Sequence, residues 1–326
     1  MFIKPIQLPY HIRQYEALTH RLKADSTCDY VLSQYKRLMA GYRGEQSLDF
    51  ALSYLSDKDF RIFHNLRLYD HVHYFQIDFL VLCDRYALIL EVKNILGKLT
   101  FDTEMRQLIR ELDDDIDVFD DPITQAEYLT GSLHQWLDER GLSLPIINRV
   151  VVASAAQIQV TNLKSDRIKK IVRRANLKAE LFTIDKQFSK AHLSTDVLNK
   201  VSAALLEAHQ SLIIKPFRSL IKPEAIIKGV RCPDCGAMPM RKVKQHWHCA
   251  GCDHLSKTAH LLALLDYRLI HGPAITNKQC RDFLMMTSET TVKKLLRSVA
   301  SHFEGEKKAR IYYLPADFCA NFEKDR

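Results

Sequence analysis

Strands and helices alternate between residues 60 and 210, and two Cys-x-x-Cys knuckles follow at Cys232–Cys235 and Cys249–Cys252. The last 70 residues then run helix, helix, turn, helix, hairpin. Together these observations predict an α/β fold followed by a four-cysteine zinc ribbon and a winged helix-turn-helix. The expected boundaries are residues 1–210 for the α/β domain with its N-terminal helices, 211–230 for a linker, 231–256 for the ribbon and 257–326 for the last module.

Composition sets the outer limits. The chain has 326 residues, 47% apolar and 26% charged, which is ordinary globular usage and excludes disorder throughout. No apolar run is long enough for a membrane span. Met1–Tyr10 lacks the apolar core of a secretion signal, so a cytoplasmic location is expected.

The elements follow in order. Residues 10–56 carry Leu18, Leu22, Leu48, Leu52 and Leu55 at helical spacings and should be helical, with Gly41 and Gly44 breaking the run. Phe60, Ile62, Leu66 and Leu68 mark a strand over 60–69. A second strand spans 73–82, Asp84-Arg85 turns the chain, and a third covers Tyr86 to Lys93. A short strand lies near Lys98–Phe101, and the aspartate-crowded stretch 111–121 should be a loop. Asp121-Pro122 opens a helix that reaches about Arg140, with proline in the first turn where its missing N–H costs nothing. Arg149–Ala153 and Leu181–Ile184 read as strands and Thr195–His209 as a helix. Residues 211–230 read as a basic connector containing Pro216 and Pro223.

Cysteine usage is divided. Cys28, Cys83, Cys280 and Cys319 are scattered and read as small buried hydrophobes. Cys232, Cys235, Cys249 and Cys252 have the spacing of a tetrahedral zinc site, with Gly236 and Gly251 allowing the knuckles to bend. Four thiolates leave no open position, so the Zn²⁺ would be structural. His246, His248 and His254 lie nearby, and one of them could replace a cysteine. Between the knuckles, Arg241, Lys242 and Lys244 could meet phosphates or simply form a solvated face. In the last module, Thr276–Leu284 reads as a capped helix and Glu289–Val299 as the helix that would enter a DNA groove. Thr290, Lys293, Lys294 and Arg297 are its candidate contacts, with Lys307 and Lys308 at the charged tip of the hairpin. Small helical pairs also serve protein contacts.

The acidic part of the chain holds the chemistry. Asp78 sits within an otherwise apolar strand, and an ionised carboxylate is rarely buried alone. Glu91 and Lys93 lie two apart on the next strand and share a face. Two carboxylates on neighbouring strands can hold Mg²⁺, and an adjacent lysine can orient water or stabilise a phosphate. Asp78, Glu91 and Lys93 could equally just pair across the sheet.

Further residues make the pattern more specific. Gly41-Tyr42-Arg43-Gly44-Glu45, Gln76-Ile77-Asp78-Phe79-Leu80-Val81, Leu90-Glu91-Val92-Lys93-Asn94 with Gly97, and Asp121-Pro122-Ile123 followed by Gln125 occur in this order. Over about residues 35–150 the chain thereby resembles the nuclease-related domain (NERD) family, a branch of the PD-(D/E)xK nuclease superfamily. The resemblance implies a restriction-endonuclease-like core that cuts DNA with Mg²⁺ or Mn²⁺. It implies Asp78 and Glu91 as metal ligands, Lys93 as the catalytic lysine, Glu45 as an aid to metal or water, and Gln125 as a group orienting ligand or substrate. Asp121 stands where the family usually has asparagine. The acidic run Asp113-Asp114-Asp115 with Asp117 would repel DNA if it lay near the cleft.

Charge distribution suggests a division of labour. Residues 1–150 carry 17 Lys+Arg against 23 Asp+Glu, and residues 151–326 carry 30 against 16. A basic half points to a polyanion partner, here DNA. Lys169, Lys170, Arg173 and Arg174 could flank its path. The expected function is a metal-dependent deoxyribonuclease delivered to DNA by its ribbon and winged helix. The alternative is an inactive DNA-binding or regulatory protein that keeps the nuclease fold as scaffold. No phosphate-cradling glycine loop is present, so no small-molecule cofactor is expected, nor any membrane partner. A second copy of the chain or a motor partner stays open.

Overall fold

The computed structural model describes residues 1–214 and 221–316. Contacts divide the chain into two units: Met1–Pro9 with Arg37–Leu212, and Tyr10–Lys36 with Ile213–Arg326. Pro216 of the expected connector and Cys319 lie outside the described residues, as does the side chain of Lys308.

The first unit is built on a six-stranded sheet. Its spatial order is β1 (Phe2–Lys4), β2 (Arg61–Tyr69), β3 (Tyr74–Leu82), β4 (Ala87–Lys93), β8 (Ile146–Val152) and β10 (Ile171–Arg173). The β2–β3 and β3–β4 pairs are antiparallel, while β1–β2, β4–β8 and β8–β10 are parallel. A second sheet has the order β7 (Asp115–Asp120), β6 (Gln107–Leu112), β5 (Lys98–Asp102) and β9 (Gln157–Val160).

Alternation along the strands assigns side chains to the two faces. Leu88 and Leu90 point to one side with Val81 and Val151, against Leu48 and Leu52 of α3 (Asp49–Leu52) and Leu177, Leu181 and Ile184 of α5 (Leu177–Gln187). Ala87 and Ile89 point to the other, against Leu129, Leu133 and Trp136 of α4 (Pro122–Asp138) and Leu198, Val201 and Leu205 of α6 (Thr195–Ala208). The pattern changes phase in β3. Ile77 packs with the second group and Phe79 with the first, although they are two apart. Asp78 lies at this change, in register with Asn65 of β2, whose φ of 51° is left-handed.

Three expected elements take a different form. Gly41 and Gly44 do not break a helix, because α2 (Ser26–Gln46) runs through both. At Gly44 a Cβ would lie 2.4 Å from Asn94 Cβ, so glycine serves close approach there. The 111–121 stretch is no loop, since β6 and β7 pair antiparallel around Asp113, whose φ of 53° aspartate tolerates. Arg110 pairs with Asp117 and offsets part of the aspartate repulsion. Leu181–Ile184 is helical, because Leu177, Leu181 and Ile184 recur at i, i+4 and i+7 on one buried face.

The second unit has a single core. In it Leu18 of α1 (Tyr10–Arg21) and Val31 of α2 join Cys232, Trp247 and Cys249 of the cysteine module. Leu264 and Tyr267 of α7 (Ala259–His271), Phe283 of α8 (Asn277–Leu284) and Leu296 of α9 (Glu289–Val299) complete it. The packing therefore differs from boundaries drawn along the sequence. Tyr10–Lys36 pack with the C-terminal part rather than with residues 37–210, because Arg21, fully buried, donates to Asp266 at 2.8 Å and to the carbonyl of Gly229 at 2.6 Å. The described part of the expected linker is also packed, with Ile221, Ile226 and Val230 in the same core.

Candidate functional site

Strands β3 and β4 pair from Leu82–Ala87 as far as Phe79–Leu90 and part beyond it. In the gap, Asp78 Oδ2 accepts the backbone N–H of Val92 at 2.8 Å. Glu91, the residue after the last paired position of β4, is almost fully buried at 3% exposure. Its Oε1 accepts from Lys93 Nζ at 2.7 Å, and Lys93 Nζ also donates to Gln125 Oε1 on α4 at 2.9 Å. Glu91 and Lys93 share the α4 face of the sheet, as two-residue spacing requires.

Glu45 enters from the last turn of α2. Asn94 Nδ2 donates to the carbonyl of Ala40 at 2.6 Å, and Gly44 lets the helix lie directly on Asn94. His64 Nε2 meets Glu45 Oε2 at 2.6 Å. The charges bear on one another. Burial raises the Asp78 carboxyl well above its ordinary value, and Glu91 and Glu45 add to the shift. Burial also raises Glu91, with Lys93 pulling the other way and Glu45 adding to the rise. Carboxylates that repel one another are the chemistry a hard divalent cation relieves. Their oxygens are not gathered into a cage. Among the described residues, only the four cysteines form a set of three or more ligand atoms all within 4.8 Å of one another.

Asp121 caps α4 by accepting from Ile123 and Thr124 N–H, both at 3.1 Å, and it also pairs with Arg167. The departure from asparagine thus brings a charge partner as well as a cap. Lys169 and Lys170 pair with Asp166 and Glu127, respectively.

The second unit holds the cysteine site. Cys232 Sγ lies 3.7 Å from Cys252 Sγ, and Cys235 Sγ lies 3.5 Å from Cys249 Sγ. Tetrahedral zinc with Zn–S near 2.3 Å needs edges of about 3.8 Å, so these four thiols can hold one zinc ion. The Gly251 N–H pulls the Cys249 thiol down to about 7, assisted by the Cys252 N–H. The first knuckle turns at Gly236 with φ of 76°, whereas the second uses Asp253 at 57° rather than Gly251. His248 pairs with Asp253 at 3.0 Å, and no histidine belongs to the cluster. The strands β11 (Arg241–Val243), β12 (His246–His248) and β13 (Leu255–Ser256) form the small ribbon sheet.

Beyond the ribbon, β14 (Ala274–Thr276), β15 (His302–Glu304) and β16 (Ile311–Tyr313) form a sheet in the order β14-β16-β15. Thr276 and Gln279 form a capping box at the start of α8. On α9, Val292 and Leu296 are buried while Thr290, Lys293, Lys294 and Arg297 are exposed. Arg241, Lys244 and Lys307 are exposed too, whereas Lys242 is half-buried and its Nζ sits 5.0 Å over the Trp247 ring.

Two residues at the site escaped the sequence reading. His64 carries a polar group in an apolar strand, the same signal that singled out Asp78. Lys4 donates to the carbonyl of His64 at 2.7 Å, and burial lowers its ammonium to about 8 against the opposing charge of Glu45. Nothing in the sequence near Lys4 announces this, since β1 reaches the site only through parallel pairing with β2.

Residues 40–154 match the model of the NERD family, described as a nuclease-related domain. The chain thus contains a nuclease-related domain, and the carboxylates, the lysine and Gln125 all fall within it. No curated protein and no solved structure matches the chain. Among the described residues, no helix is long and apolar enough to cross a membrane.

Proposed function

We propose that the chain is a divalent-metal-dependent deoxyribonuclease that hydrolyses phosphodiester bonds. The observation that carries this reading is the parting of β3 and β4, where Asp78 and Glu91 each lie one residue past the last pair, beside a lysine tied to Glu91 and Gln125. Mg²⁺ or Mn²⁺, when bound, would acidify the attacking water and neutralise charge on the phosphate. Asp78 and Glu91 supply the oxygen ligands. An ammonium has three donors, and Lys93 spends two on Glu91 and Gln125, which leaves the third for a phosphate oxygen or the water. Glu45 contributes a further carboxylate from α2, and Gln125 orients the lysine.

The second unit would hold the substrate. The helix, α8, α9 and β15–β16 order supports a winged helix-turn-helix, with Thr290, Lys293, Lys294 and Arg297 of α9 facing DNA. Arg241 and Lys244 on the zinc ribbon, and Lys307 on the hairpin, would add phosphate contacts. A thiolate zinc site suits a reducing compartment, so we infer a cytoplasmic protein.

The test is incubation of purified protein with plasmid, linear and single-stranded DNA in Mg²⁺ or Mn²⁺. Wild type should cleave, and Glu91→Ala should not. Equal cleavage by both, or by neither, would contradict the reading, and DNA binding without cleavage would favour the inactive scaffold.

A further inference from the structure

Buried polar groups are normally satisfied, and an exception calls for a cause. His64 is such an exception. It is fully buried on β2, yet its Nδ1 has no hydrogen-bond partner among the described residues. Its Nε2 lies 2.6 Å from Glu45 Oε2, and since a carboxylate only accepts, the ring N–H donates. The ring is otherwise held by packing, 5.1 Å from the Phe79 ring and 6.1 Å from that of Tyr42. Its backbone is pinned where Lys4 Nζ reaches the His64 carbonyl. An apolar residue of similar size would fill this space without leaving a nitrogen unpaired. What it would lose is the one bond to Glu45.

That bond completes a three-point mount. Asn94 fixes α2 through the Ala40 carbonyl, Gly44 sets its distance from the strand, and His64 fixes the rotamer of Glu45. One Glu45 oxygen is thereby occupied, and the side chain is held beside both strands of the pair: His64 is opposite Phe79, the neighbour of Asp78, and Asn94 is three residues beyond Glu91.

We propose that His64 is a positioning residue that aims Glu45 at the cation site formed by Asp78 and Glu91. The inference rests on the metal-site reading above, and it is tested by metal affinity rather than by cleavage. Residues that orient metal-site carboxylates typically change affinity about 10–100-fold when altered. Calorimetric Mn²⁺ titrations on the full chain should therefore compare wild type, H64N, H64Q, E45Q and H64N/E45Q. Gln places its side-chain N–H near the Nε2 position, whereas Asn falls short. H64N should weaken Mn²⁺ binding about tenfold, and H64Q should stay within about threefold of wild type. H64N should add nothing to E45Q, because it acts through Glu45.

Wild-type affinity in H64N, equal losses in H64N and H64Q, or losses that add to that of E45Q would each overturn the proposal. Melting in EDTA monitors folding. If H64N does not melt cooperatively, H64Q decides, with affinity near wild type supporting the proposal and a tenfold loss overturning it. Plasmid cleavage is read in parallel. Mn²⁺ binding by wild type that is lost in a D78N control, without cleavage, would contradict only the nuclease reading, whereas no Mn²⁺ binding by wild type would overturn both.

Discussion

Asp78 accepts the backbone N–H of Val92 at 2.8 Å, just where β3 and β4 stop pairing. A ladder hydrogen bond is replaced by a bond to a carboxylate. This seats the acid between the strands, where burial makes its own charge costly. The consequences are measurable.

The first concerns pH. Asp78 and Glu91 are both raised, by burial first and then by neighbouring carboxylates. A carboxyl whose folded value exceeds its unfolded value favours folding fully below the unfolded value, and that contribution is lost as pH rises through the folded one. In EDTA the melting temperature of the first unit should fall as pH climbs from about 4, the ordinary carboxylate value. Asp70 and Asp102, lowered chiefly by backbone N–H groups, act in the opposite sense, but their contribution is lost below that value. Asp78→Asn should flatten the fall, and Mn²⁺ should reverse it in wild type. A flat profile in EDTA would count against the charge crowding described.

Two glycines on one helix should respond in opposite directions. Gly44→Ala would put a Cβ 2.4 Å from Asn94 Cβ, while Gly41 has nothing within 4 Å. Overpacking costs about 1–3 kcal/mol, and relieving a helix of glycine gains about 1 kcal/mol. Thermal melts should show Gly44→Ala destabilised and Gly41→Ala stabilised. The same sign for both would mean that α2 does not rest on Asn94.

Removing zinc should unfold more than the ribbon. Cys232, Cys249 and the buried Trp247 share one core with α1, α7, α8 and α9. Structural zinc contributes about 10–16 kcal/mol in small fingers, as large as the whole net stability of a domain, about 5–15 kcal/mol. Cys232→Ser or strong chelation should expose Trp247 to solvent, seen as a red-shifted emission, and abolish protection of α7–α9 in hydrogen exchange. The strands of the first unit should stay protected. Loss confined to residues 231–256 would contradict a shared core.

DNA affinity should depend steeply on salt. Each phosphate contact contributes about 0.9 to the slope of log affinity against log salt on duplex DNA. Lys293→Ala and Arg297→Ala, both on the exposed face of α9, should each lower affinity, and loss of a phosphate contact should reduce the slope by about one. Unchanged slopes would move DNA away from this helix.

Particular residues show what the sequence made legible. Glu91 and Lys93 share a face as period-two alternation in β4 requires, whereas Asp78 lies where β3 changes phase and Gln125 is singled out only by the family resemblance. The thiol cluster was readable because its ligands come in local pairs. His64 was not, since its partner Glu45 lies 19 residues away on another element. Leu181–Ile184 misled because four apolar-rich residues fit a strand, and only Leu177 restores the helical period. The 111–121 hairpin was hidden by aspartates on exposed strands, where polarity mimics a loop. The membership of Tyr10–Lys36 in the second unit rests on Arg21 meeting Asp266 across 245 positions, which no local pattern reports.

We propose that Asp78 and Glu91 together hold a divalent cation. Diffraction from crystals soaked in Mn²⁺, collected at the manganese edge, tests it most directly. An anomalous peak should lie within bonding distance of a carboxylate oxygen of each residue and be absent from Asp78→Asn crystals. A peak elsewhere, or none while the wild-type crystals still diffract, would contradict it.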